Sequence, residues 1–220
     1  MKGWIKPTLW ALAAVWATCW AGAAKAERCP SPRAAGITPS IQISVELTQP
    51  RYWYSVGRNR LTAMHNQTNN GSRHGTVLGL TVHGPISASS PGQYTRTNNS
   101  GQPCYYIRNL NSTLTMTSLD VYIAAEYRQG TCEAQVITTH ENEHVRIYHA
   151  ALQKYGPVMR ETLARLAETP FNSVGELEQA IRTSRARVFE TMIQEARRGN
   201  GSIDTQDSYK RTGARCKNWK

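Results

Sequence analysis

The chain has 220 residues, with 26 Lys and Arg against 15 Asp and Glu and a formal net charge of +11. That length allows one domain with a core of its own; no internal repeat is evident, and no second apolar run follows the one at the amino terminus, which excludes a repeat array and a polytopic membrane protein. The positive charge is not gathered into basic blocks, so no nucleic-acid partner is expected; an anionic envelope surface, an acidic substrate or plain solubility accounts for it equally well.

Residues 1–26 begin with Lys2 and Lys6, continue in an uncharged apolar run over 9–24 and end in Ala24-Lys25-Ala26, the pattern of a secretory signal cleaved after Ala26. The run is shorter than the roughly 20 residues a spanning helix needs, so no stable membrane span is expected after cleavage. Removal takes Lys2, Lys6, Lys25 and the unpaired Cys19 with it, leaving 194 residues of net charge +8 in the periplasm or outside the cell.

From about 37 to 130 the chain is rich in Thr, Ser, Asn and Gly, and short runs alternate apolar and polar side chains. These predict strands at 40–47, 51–56, 76–83, 104–108 and 112–127, joined by turns such as Asn69-Asn70-Gly71 and Asn98-Asn99-Ser100-Gly101. The last strand changes its apolar face between Met116 and Leu119, which predicts a bend or bulge. After Cys132 the period becomes about 3.6 and predicts helices at 132–155, 157–168 and 173–198. Gly156-Pro157 is a kink signal, so the first two read either as two helices or as one kinked helix, and Asn172 or Ser173 with Glu176 resembles a capping start for the third. The tail from 199 to 220 reads as irregular but pinned by Cys216. Strands first and helices second imply an α+β fold: one domain over 27–220, with an antiparallel strand-rich half at 27–131 and a helical half at 132–220.

Four cysteines remain in the exported chain, Cys29, Cys104, Cys132 and Cys216, an even set that implies two disulfides in an oxidising compartment. Three pairings are open; Cys104 with Cys132 and Cys29 with Cys216 is the favoured one, because the second would staple the termini. No two cysteines have the short spacing of a metal site.

The chemistry concentrates in His140-Glu141-Asn142-Glu143-His144. Residues four apart stack on one helix face, so two imidazoles can hold one zinc ion while Glu141 serves as general base. Ile137, His140, His144, Ile147 or Tyr148, and Ala151 recur at steps of three and four, which places both histidines on the core-facing stripe. Buried histidines beside a carboxylate are costly unless something satisfies them, and a zinc ion would. Glu143 lies off the stripe, His149 is half a turn away, and His65, His74 and His83 read as loop or sheet-face residues. A third ligand is needed. Glu195, read as one turn further on the third helix's stripe of Val174, Leu177, Ile181, Val188 and Met192, is one candidate; Asp204 and Asp207 in the tail are the others. Tyr209 is a candidate for steadying an oxyanion or a ligand.

With that motif the chain resembles the zincin metallopeptidases, and within them the bacterial family of secreted zinc-dependent proteases catalogued as a domain of unknown function. Tyr54-Ser55-Val56-Gly57 in the strand-rich half, a cysteine just before the active helix and an acidic, aromatic tail segment share that outline. The family carries a histidine in its tail, whereas this chain has none after His149; the nearest stretch is Asp204-Thr205-Gln206-Asp207-Ser208-Tyr209. The resemblance implies a zinc peptidase whose strand at 112–127 is the edge that pairs with an extended polypeptide. The readings to be weighed are therefore a peptidase, an amidase acting on peptidoglycan peptides, and an envelope binding or adaptor protein that keeps the shell without turnover.

Overall fold

The computed structural model describes residues 29–68, 75–89, 92–217 and 219. The expected signal over 1–26, His74 and the turn Asn69-Asn70-Gly71 lie outside the described residues. In chain order the elements are β1 (Ser40–Glu46), β2 (Arg51–Val56), α1 (Arg58–Thr68), β3 (Gly79–His83), β4 (Ile86–Ser89), β5 (Gly92–Asn99), β6 (Gln102–Met116), β7 (Leu119–Ala124), α2 (Cys132–Ala167), α3 (Val174–Ile203) and α4 (Gln206–Gly213). The fold is α+β, with the strands preceding the long helices.

The strands do not form a purely antiparallel sheet. They form two sheets, one of four strands around β6 and one of three in the order β2-β7-β3, and each is mixed. β1 runs parallel to β6 and β2 parallel to β7, while β3, β4 and β5 pair antiparallel. A parallel pair needs a long crossover, and everything from β2 to β5 supplies it for β1 and β6. The apolar switch between Met116 and Leu119 is where the chain leaves one sheet for the other. Gly84 N donates to Ser118 O (2.9 Å) and Thr117 N to Pro85 O (3.0 Å), so the β3–β4 and β6–β7 connections cross together. This overturns the expected edge at 112–127: β6 and β7 are both flanked by strands on either side.

The helix α2 starts at the cap Thr131, whose side chain accepts from Ala134 N, and runs for 36 residues without breaking at Gly156-Pro157. Of the two readings there, two helices or one, the single helix is the one that forms. Gly156 instead marks a close approach, since a Cβ there would stand 2.5 Å from Val45 Cγ2 on β1. Ser173 caps α3 by accepting from Glu176 N (3.1 Å), and Glu176 in turn accepts from Asn172 N (3.0 Å), a reciprocal cap. α3 continues to Ile203, past its expected end, and the tail forms α4 rather than irregular chain. α1 was also unforeseen; of its side chains only Leu61 is fully buried, too few to set a visible period.

Two apolar clusters form the core. Leu110, Leu114, Leu152, Met159, Leu163 and Leu177 lie between the four-stranded sheet and the two long helices. Leu119, Val121 and Ile123 of β7 meet Ile137 and Val145 of α2 in the other. The disulfides are Cys29–Cys104 and Cys132–Cys216, which corrects the favoured pairing. Each bridge ties a terminus to one half: Cys29 to β6, and Cys216 to the first residue of α2.

Candidate metal centre

The second cluster ends where polar side chains begin. β3 lies along the amino-terminal half of α2, and its alternate residues Gly79, Thr81 and His83 face the helix. A Cβ on Gly79 would stand 2.5 Å from Glu141 Oε1 and 2.6 Å from Ile137 Cγ2, so only glycine leaves room for the Glu141 side chain. Thr81 Oγ1 donates to Glu141 Oε2 at 2.8 Å. His83 Nδ1 donates to Gly84 O (2.9 Å), and its ring lies 4.7 Å from that of Tyr148. Burial pushes the Glu141 carboxyl above its ordinary range, and His144 and the Thr81 hydrogen bond only partly oppose this. A carboxylate held there is a stronger base than one in water.

From the other side the end of α3 closes over the histidines. Asp204 Oδ1 lies 3.0 Å from His140 Nε2 and 3.3 Å from His144 Nε2, and it accepts from Tyr209 OH at 2.9 Å. Asn200, one turn earlier, places its Oδ1 3.0 Å from His144 Nδ1. The His140 and Tyr209 rings are 5.4 Å apart. Burial alone would raise the Asp204 carboxyl, but hydrogen bonds from His140 and His144, the His144 charge and Tyr209 outweigh it and hold it well below the usual carboxylate range. Burial likewise opposes charge on His144, yet its bond to Asp204 and the nearby Glu141 raise it to about 9. The cause is visible: both ring nitrogens of His144 face oxygen acceptors, so each must carry a proton. Tyr209 keeps half its surface open but turns its hydroxyl inward, and burial and then the Asp204 carboxylate hold its phenol above the ordinary value.

Potential ligand atoms of His140, Glu141 and His144 lie within 4.8 Å of one another, a group able to hold a metal ion. A single oxygen of Asp204 also meets both Nε2 atoms, while Glu141 Oε2 is engaged by Thr81. Ligands about 2.0–2.1 Å from a tetrahedral zinc ion are spaced about 3.3 Å apart, close to the separations here.

The other expected candidates lie elsewhere. Glu195 accepts from Lys154 Nζ (2.7 Å) and Tyr155 OH (2.8 Å), more than two helical turns beyond His144 along α2. The stripe of α3 passes through Val188, Met192 and Ala196, not Glu195, which is rotated to the rim. Asp207 is exposed and 3.9 Å from Lys210. Glu143 pairs with Arg146, and His149 Nε2 donates to Thr48 O (3.0 Å). Thr81, Gly79 and Asn200 were not foreseen. The steps of four from Val188 through Met192 and Ala196 lead on to Asn200 and Asp204, and would have pointed to both. The chain matches no protein-family model, no curated protein and no solved structure, so the donor geometry alone carries the functional argument.

Proposed function

We propose that the protein is an exported zinc-dependent hydrolase of peptide bonds. The observation that carries this reading is the meeting of His140 Nε2, His144 Nε2 and Asp204 Oδ1 beside a buried carboxylate on the same helix. His140, His144 and Asp204 would hold the ion. When bound, it supplies Lewis acidity, making a water acidic enough to lose a proton near neutral pH and polarising the scissile carbonyl. Glu141 takes that proton and returns it to the leaving nitrogen, with Thr81 and Gly79 fixing where its carboxylate stands. Tyr209 steadies Asp204 by donating its hydroxyl to Oδ1.

A polypeptide substrate is favoured by the strand nearest Glu141. Among the described residues β3 pairs with β7 alone, so its other edge is free to take an extended chain through main-chain hydrogen bonds. The two disulfides and the amino-terminal pattern support action in the periplasm or outside the cell, and no helix among the described residues is long and apolar enough to cross a membrane.

The test is zinc stoichiometry of the protein over 27–220, with cleavage of casein, a peptide library and peptidoglycan peptides. One zinc per chain is expected, lost in His140→Ala and retained in Glu141→Gln with activity down by about 10²-fold or more. A wild-type chain that binds no zinc would overturn the reading; zinc without turnover on any substrate would leave a binding protein.

A further inference from the structure

We infer that Asn200 is a positioning residue for this centre: it accepts a hydrogen bond at His144 Nδ1 and so holds the imidazole in the tautomer whose Nε2 is free to ligate. The inference rests on the zinc reading above and extends it to a residue outside the ligand set. The His144 ring is bracketed, with Asn200 Oδ1 3.0 Å from Nδ1 and Asp204 Oδ1 3.3 Å from Nε2. Asn200 and Asp204 are four residues apart at the end of α3, as His140 and His144 are on α2, so one helix turn grips the ring at both nitrogens. An imidazole that ligates through Nε2 carries its proton on Nδ1, and an acceptor at Nδ1 selects that form.

An amide could also present its NH2 group to His144, which would select the wrong tautomer. Here it is the amide oxygen, Oδ1, that faces Nδ1 at 3.0 Å, and an amide oxygen only accepts. The backbone is shaped for the same contact, since a Cβ on Gly199 would stand 3.1 Å from Ile147 Cγ2 and hold α3 away from α2.

Zinc affinity, read by chelator competition, tests this without any substrate. Asn200→Leu keeps the shape and loses the acceptor, and should raise the zinc Kd about 10- to 100-fold. Asn200→Asp supplies a stronger acceptor and should match or exceed the wild-type affinity. In zinc-loaded protein labelled with 15N-histidine, a slowly exchanging Nδ1–H of His144 should be visible in the wild type and the Asp variant and absent in the Leu variant. Wild-type affinity in Asn200→Leu, or a loss of tenfold or more in Asn200→Asp, would overturn the inference while leaving the zinc centre standing. A wild-type protein that takes up no zinc would overturn both.

Discussion

His144 competes for its own ligand position. Without a metal ion its two nitrogens donate to Asn200 and Asp204, and the ring holds its second proton up to about pH 9. If zinc ligates Nε2 as proposed, it must displace the proton there, so its apparent affinity should rise with pH up to about 9, close to tenfold per unit from His144, and then level off, measurable by competition titration. Stability runs the other way. The folded pKa lies above the ordinary 6.5, so the contribution to metal-free stability is complete below about 6.5 and is lost as pH rises through about 9. Thermal melts of metal-free protein from pH 6 to 10 should therefore show a falling Tm, and zinc-loaded protein should not follow it. Thr81 invites a second test. Replacing it by Val leaves Glu141 Oε2 buried without its hydroxyl donor, which should cost about 1–3 kcal/mol in denaturant unfolding, whereas Thr81→Ser, which keeps the donor, should lose less.

Among the elements, α2 decides what the fold can present, and much of it was legible. The stripe through Ile137 and His144, the cap at Ser173 and the strand at 51–56 depend on neighbours within a few residues, and the sequence displays them directly. Strand direction, the disulfide pairing and the choice of Asp204 over Glu195 depend on residues distant in sequence, and alternation or spacing is blind to those. α3 illustrates the limit: Gly199-Asn200-Gly201 looks like a helix end, yet packing of Gly199 on Ile147 carries the helix on to the site. Gly156-Pro157, read as a kink, is a close contact with Val45 of β1, hidden from the sequence for the same reason. Gly156→Ala tests that contact. Helix propensity favours alanine by about 1 kcal/mol, but a Cβ 2.5 Å from the branched Val45 side chain should cost about 1–3 kcal/mol and outweigh it. Combined with Val45→Ala, the same substitution should destabilise by clearly less than the sum of the two single changes, a coupling that a double-mutant cycle reads out.

At the scale of the whole molecule, the chain doubles back so that α4 packs against α2, and Cys132–Cys216 closes that return. The two disulfides span similar sequence separations, 84 residues for Cys132–Cys216 and 75 for Cys29–Cys104. Loop-closure entropy varies only with the logarithm of length, so removing either bridge should cost a comparable amount, about 2–5 kcal/mol. Their positions differ. Cys216 anchors the segment that carries Asp204 and Tyr209 against α2, whereas Cys29 and Cys104 tie the amino terminus to β6. Paired Cys→Ser substitutions at each bridge should therefore lower unfolding stability alike but separate in zinc affinity. Loss of Cys132–Cys216 should weaken zinc binding by about tenfold or more, because Asp204 and Tyr209 must then be ordered at the moment of binding, while loss of Cys29–Cys104 should leave it within about threefold of wild type. Equal zinc affinities in the two variants would mean that α3 alone holds Asp204 in place and that the tail disulfide serves stability only.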